Sequence, residues 1–224
     1  MINQGKSSKA KKAFFSLLGE VGEGVYLKNN LIATCFSQIK QDLFSVNELH
    51  PAMQYQVENL LGAVAATSIA SVMSNDIARV ASEFKGLEHR IEWVRSVRGI
   101  DFINDSKGTN VGSVNKSLTS FSRPVILIAG GKDKGVDFRA LKGIFKEKVK
   151  HLILIGETKN KFRQILNGSF SYEDAESMED AVERAVKKAD AGDVVLLSPG
   201  CASFDMFGDF VERGNRFKEI VKRL

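Results

Sequence analysis

Apolar and polar residues change rhythm once along this chain, near residue 86. Between residues 13 and 36 the apolar stretches are short: Ala13-Phe-Phe-Ser-Leu-Leu18, Gly24-Val-Tyr-Leu-Lys28 and Leu31-Ile-Ala-Thr-Cys-Phe36. Gly22, Gly24 and Asn29-Asn30 separate them, and these residue types tolerate positive φ, so the segment predicts strands joined by hairpins. From Met53 to Met73 alanine and leucine dominate, with Val57, Leu60, Leu61, Val64 and Ala65 at helical spacing. Ser74 stands where it could cap a second helix, over about 75–84.

Beyond Gly86, apolar runs at 100–103, 125–129, 152–155 and 194–197 alternate with helical stretches at 110–121, 138–145, 160–166, 178–189 and 207–224. Such alternation predicts an α/β fold with a mostly parallel, Rossmann-like sheet flanked by helices. Ligands of an open parallel sheet sit beyond the carboxyl ends of its strands, so the loops after Ile103, Ala129, Ile155 and Leu197 are the places to look for chemistry. The change of rhythm puts a domain boundary near Gly86 to Arg90, dividing the chain into 1–88 and 89–224. No internal repeat is visible.

Composition narrows the function classes. A chain of 224 residues can bury one large core or two small ones. With 43% hydrophobic residues, 26% charged residues and three prolines, it has the make-up of a folded globular protein rather than a disordered one. Part of the net charge of +5 lies at the start, where Lys6, Lys9, Lys11 and Lys12 precede the first acid, Glu20. A basic tail points weakly to nucleic acid. Elsewhere lysines alternate with acids, as in Lys142, Lys146, Glu147 and Lys148, the texture of a solvated helix face, and no nucleic-acid partner is expected. Cys35 and Cys201 lack disulfide or zinc spacing. No apolar run approaches the ~18 residues of a membrane span, and no apolar signal core follows the first lysines. The expectation is a cytoplasmic monomer without a membrane partner.

Three of the four strand-end loops carry unusual residues. Asn104-Asp-Ser-Lys-Gly-Thr-Asn110 runs from a strand into a helix start, which offers free N–H groups and a positive dipole end to an anion. Asp105 and Asn110 could equally serve only to cap and turn the chain. Gly130-Gly-Lys-Asp-Lys-Gly-Val-Asp137 combines two glycines, which let a backbone come close, with two lysines suited to a carboxylate or phosphate. Alone, it reads as a glycine turn with solvated lysines, and it is no Walker loop: Gly-x-x-x-x-Gly-Lys-Ser/Thr occurs nowhere in the chain. Ser198-Pro-Gly-Cys-Ala-Ser-Phe-Asp-Met-Phe207 is built of small and hydroxyl residues. Its Cys201 has no histidine nearby in sequence and reads as a structural cysteine, while Ser203 could bind a carboxylate or cap the last helix. His89-Arg90, at the junction, could clasp a ligand or form an ordinary hinge with exposed charges.

Together, Ile103 to Asn110, Ile128 to Gly135 and Leu197 to Phe207 resemble the Mur ligases that add D-glutamate. The similarity extends through Phe84-Lys-Gly-Leu-Glu-His-Arg90 and Glu212-Arg-Gly-Asn-Arg-Phe217. It is firm over 84–224 and fainter over 20–83. The resemblance implies an ATP-dependent enzyme of cell-wall (peptidoglycan) synthesis that joins D-glutamate to UDP-N-acetylmuramoyl-L-alanine through an acyl phosphate, with ATP and Mg2+. It implies that 89–224 is the carboxyl-terminal Rossmann-like domain and 1–88 a partial α/β remnant of the central ATPase domain. Walker loop, magnesium ligands and carbamate-bearing lysine then lie outside the chain, which by itself should be inactive; the alternative is a non-catalytic module binding a nucleotide or acidic amino acid. By position, the resemblance implies that Thr109, Lys134 and Ser203 hold the carboxylates of D-glutamate, with Phe204 and Phe210 lining its pocket. Asn59, His89, Arg90, Asp105 and Lys107 would meet ATP. Three departures stand out: Tyr55-Gln-Val-Glu-Asn59 replaces the family's His-Asn-x-x-Asn, Glu88 replaces a proline, and Gly200 replaces an alanine.

Overall fold

The computed structural model describes residues 10–166 and 170–224, and they form two compact units divided between Lys85 and Gly86. Lys6 and Lys9 of the basic start lie outside the described residues; Lys11 and Lys12 lie on exposed and solvent-facing chain.

In the first unit β1 (Phe14–Ser16), β2 (Gly24–Lys28), β3 (Leu31–Phe36) and β4 (Ile39–Ser45) form one sheet in that order. β1 runs parallel to β2, and β2, β3 and β4 are antiparallel hairpins. Both hairpin turns are two residues with positive φ: Asn29 (49°) and Asn30 (66°), then Ser37 (50°) and Gln38 (65°). Such turns match the twist of the strands they join. Only the first was visible in sequence, because asparagine advertises the conformation and Ser-Gln does not. One long helix was expected over 53–73, but the chain makes α1 (Pro51–Gln54) and α2 (Val57–Ile69). His50 caps α1 and Pro51 opens it, while Gln56 leaves helical geometry (φ −125°) before α2 begins. Ser74 is the first residue of α3 (Ser74–Glu83) and not its cap; its hydroxyl reaches Gln41 instead (3.1 Å). Val25, Ile32, Phe44, Leu61, Val64 and Ile77 pack as the core of this unit.

The second unit has six strands: β5 (Glu92–Val97), β6 (Ile100–Asn104), β7 (Val125–Gly130), β8 (Val149–Ile155), β9 (Tyr172–Asp174) and β10 (Val194–Leu197). Their order is β5-β6-β10-β7-β8-β9; β5 is antiparallel and all others are parallel. β10, last in the chain, inserts between β6 and β7. The loops that leave β6, β10 and β7 therefore stand side by side at one sheet edge, with that of β8 next. α7 (Met178–Lys188) and α8 (Phe210–Lys222) cover the face bearing Phe102, Ile126, Ile128, Ile153 and Val195. α4 (Val111–Thr119), α5 (Lys142–Lys148) and α6 (Lys159–Leu166) lie on the other side, where Phe138 stacks on Phe162 with centroids 4.2 Å apart. β7 and β10 are buried at every residue, the mark of a parallel sheet covered on both faces.

Candidate functional site at the strand ends

β6 delivers Asn104 and Asp105 into the interior: both are buried. One Asp105 oxygen accepts from the Ile91 N–H (3.3 Å), the other from the hydroxyls of Ser117 (2.6 Å) and Ser198 (2.8 Å). Burial pushes its carboxyl up to about 6, against the pull of these donors and of the Arg90 charge. Asp105 thus ties β6, α4 and the β10 loop together with its side chain turned inward. A Cβ at Gly108 would fall 2.6 Å from Asp105 Oδ2 and 2.8 Å from Ser198 Oγ, so only glycine lets the loop close over them. Lys107 and Thr109 follow on the open side. The Lys107 ammonium lies 5.1 Å from the Phe210 ring centroid, a cation–π distance.

His89 is buried, so the alternative of an exposed hinge does not hold for it, and it adopts a left-handed backbone (φ 62°). The Asn104 amide donates to Nδ1 (2.9 Å) and to Glu92 (2.8 Å), which puts the ring proton of a neutral imidazole on Nε2. That nitrogen is buried without a hydrogen-bond partner. Burial and the nearby Lys218 ammonium lower the His89 pKa and favour the neutral ring. Arg90, next along, is exposed.

The loop after β7 turns at two glycines with φ of 116° and 144°. A side chain on Gly130 would collide with the Ile155 carbonyl, and one on Gly131 with that of Ala202. The backbone is thereby threaded between the loops of β8 and β10. Its two lysines differ sharply. Lys132 is held by Glu157 (2.6 Å), whereas Lys134 has no carboxylate partner among the described residues and sits 5.6 Å from the Phe204 ring centroid. Phe204 is 63% exposed, and Ser203 beside it is buried.

The loop after β10 contains Cys201, whose buried thiol meets Thr158 Oγ1 (3.5 Å) and is pushed up to about 11 by burial. So high a value removes it as a nucleophile at neutral pH. Sequence reasoning missed the residue that joins these loops, Arg213 of α8, which is only 1% exposed. Its guanidinium donates to Ser106 Oγ (3.0 Å), the Ser106 carbonyl (2.8 Å) and the Cys201 carbonyl (3.1 Å). No carboxylate pairs with it directly among the described residues, and burial lowers it to about 10. Its motif, Glu212-Arg-Gly, marked the position, but burial of a cation is invisible in sequence.

The second unit thus brings His89, Lys107, Thr109, Lys134, Ser203 and Phe204 onto adjoining loops at one end of its sheet, with Phe210 at the start of α8, leaving Lys107, Lys134 and Phe204 exposed. Asn59 is exposed on α2 of the other unit. A family model described as Mur ligase, glutamate ligase domain matches residues 89–201, which include the loops after β6, β7 and β8 and the start of that after β10. The chain belongs to the Mur ligase family. Among curated relatives, the UDP-N-acetylmuramoylalanine--D-glutamate ligase of Alkaliphilus metalliredigens (strain QYMF) is 40% identical over 98% of this chain and 49% of its own. The protein of the same name from Geotalea daltonii (strain DSM 22248 / JCM 15807 / FRC-32) is 42% identical over 94% and 46%. This Mur ligase chain therefore spans about half the length of the relatives it matches. Among solved structures, a pseudomurein peptide ligase type C from Methanothermus fervidus matches 92% of the chain and 42% of its own (TM-score 0.60, 15% identity). FolC of E. coli, solved in complex with ADP, matches 90% and 47% (TM-score 0.60, 16% identity). The likeness to these two shows a shared fold. As for a metal, no three His, Cys, Asp or Glu side chains converge into a possible site among the described residues, and no helix among them is long and apolar enough to cross a membrane.

Proposed function

We propose that this chain is the amino-acid-holding half of a cytoplasmic, ATP-dependent ligase that joins D-glutamate to UDP-N-acetylmuramoyl-L-alanine in cell-wall synthesis. One observation carries the reading. Two lysines without carboxylate partners among the described residues, Lys107 and Lys134, stand on neighbouring strand-end loops, each beside a phenylalanine: Phe210 at the start of α8 and Phe204 on the loop after β10. A dicarboxylate needs a cation, oriented donors and an apolar wall for its methylenes, and in this reading Lys134 is that cation. In this reading Lys134, Thr109 and Ser203 hold the D-glutamate carboxylates, and Phe204 and Phe210 bound the pocket.

The residues present also fit a nucleotide phosphate. Arg90 and Lys107 offer exposed cations, and His89 Nε2 is a donor with its capacity unmet. ATP supplies the phosphoryl group that makes the alanine carboxylate an acyl phosphate. This chain's residues orient the D-glutamate amine toward that carbon and offset the negative charges brought together there. Asp105 acts in this reading by fixing the loop that bears Lys107, since its carboxylate is engaged by three internal donors. No metal is assigned to this chain, and units 1–85 and 86–224 correspond to the tail of a central domain and to a carboxyl-terminal domain.

A complete enzyme, made by joining this chain to the amino-terminal half of the Alkaliphilus metalliredigens relative, should release phosphate only with ATP, D-glutamate and the precursor all present. In it, Lys134→Ala should raise KM for D-glutamate about tenfold to a hundredfold, the worth of one charge-assisted hydrogen bond, with KM for ATP nearly unchanged. Lys132→Ala should do far less, because that ammonium is already spent on Glu157. Equal losses for the two would return the loop to a pair of solvated lysines.

A further inference from the structure

Nothing in its sequence marks the fourth strand-end loop, Gly156-Glu-Thr-Lys159, yet it grips the β7 loop along its length. Thr158 is 1% exposed. Its hydroxyl accepts from the Gly131 N–H (3.1 Å), and its own N–H donates to the Gly131 carbonyl (3.2 Å). One step further on, Glu157 takes the Lys132 ammonium (2.6 Å) on one oxygen and faces the Asp133 N–H (3.4 Å) with the other. Lys161 at the start of α6 holds the Asp133 carboxylate (3.0 Å). The Glu157 N–H also donates to Asp205 (2.9 Å), the residue after Phe204. Residues 131–133 are therefore all fastened to this loop and α6, and Lys134 is the first that is not. Phe204, which faces Lys134, hangs beside the Asp205 end of the same fastening.

We propose that Thr158 and Glu157 are positioning residues that set the separation of Lys134 and Phe204, and so tune the site for an acidic amino-acid substrate. Neither residue touches the substrate. Thr158 fixes the height of the loop at Gly131, where two positive φ angles leave the glycine backbone no stiffness of its own. Glu157 fixes its lateral placement by holding Lys132 and Asp205 at once. The inference rests on the D-glutamate reading of Lys134 and Phe204 given above.

The test uses the full chain, labelled with 15N, and two measurements: hydrogen exchange of the Gly131 amide and titration with D-glutamate followed by the amides of 130–136 and 202–206. Thr158→Val keeps the volume but removes the acceptor. It should speed Gly131 exchange about tenfold and weaken D-glutamate about fivefold, the size of one neutral hydrogen bond. Thr158→Ser should restore both, which a merely space-filling role would not require. Glu157→Gln should weaken D-glutamate about twofold and leave Gly131 exchange unchanged, since its pair with Lys132 is exposed. Wild-type affinity in a folded Thr158→Val chain, or a Thr158→Ser chain as weak as the valine variant, would overturn the proposal. Should the valine variant not fold, unchanged affinity in Glu157→Gln overturns it. A wild-type chain whose amides do not respond to D-glutamate would instead sink the D-glutamate reading, and this proposal with it.

Discussion

Asp105 shows how a residue quoted in a ligand motif can spend its charge inside the protein. Its carboxyl is buried and raised from 3.8 to about 6, so the folded chain holds the proton more tightly than the unfolded chain. The stability linked to that proton is complete below the unfolded value near 4 and is lost as pH rises through about 6. A rise from 3.8 to about 6 corresponds to roughly 3 kcal/mol. Asp105→Asn should remove this dependence at little structural cost. The amide oxygen can still accept from Ile91, and the Ser117 and Ser198 hydroxyls can turn to accept from the amide hydrogens. Urea unfolding should therefore show the variant gaining on the wild type by about 2–3 kcal/mol between pH 4 and pH 8. A gap between the two that does not change with pH would refute the assignment. At the same scale, composition and spacing left Lys132 and Lys134 alike, and only the family resemblance singled out Lys134. Their physical difference comes from Glu157, on another strand's loop, which reaches Lys132 and not Lys134.

The elements divide by how their surroundings advertise them. β6, β7, β8 and β10 were visible as apolar runs because both faces of the sheet are covered. β5 (Glu-Trp-Val-Arg-Ser-Val) and β4 lack that signal: half-exposed or solvent-facing residues dilute the pattern, and neighbouring strands supply the hydrogen bonds. β9 has three residues and depends on its contact with β8. Beside it, His151 of β8 is buried, with Nδ1 at 2.8 Å from the Ser171 hydroxyl and Glu173 and Lys188 as charged neighbours. Burial and Lys188 lower its pKa, so the folded state favours the neutral ring. Stability from this site is present above the unfolded value of about 6.5 and is lost as pH falls through and below it. Amides pairing β8 with β9 should exchange faster at pH 5.5 than at pH 7.5, after correction for intrinsic rates. His151→Gln should abolish most of the difference; a variant that keeps it would place the pH sensitivity elsewhere.

For the whole molecule, the division at Lys85 and Gly86 leaves each unit with its own sheet and apolar core. His89 and Arg90 fall on the second side, where His89 packs against Asn104 and Phe210. We expect Gly86–Leu224, made alone, to fold with dispersed amide resonances and one cooperative unfolding transition. A shorter piece starting at Ile91 should be less stable by about 1–3 kcal/mol, having lost the His89 ring and leaving buried Asn104 short of a partner. Equal stability of the two pieces would show that His89 contributes nothing to this fold.

The sequence by itself determined the class of fold, because covered parallel strands must be continuously apolar and the helices between them must be amphipathic. It also determined the family, because three polar strand-end loops in one order resemble the Mur ligases. It could not determine which residues of those loops face outward. β10 comes last in the chain and inserts between β6 and β7, so loops some ninety residues apart become neighbours. That insertion turned Asp105 toward Ser198 and let Arg213 fasten Ser106 to Cys201, while the pairing of β7 with β8 let Thr158 brace Gly131. Each is a contact between residues remote in sequence, set by strand order and burial, and none of the three is written in the local pattern of side chains.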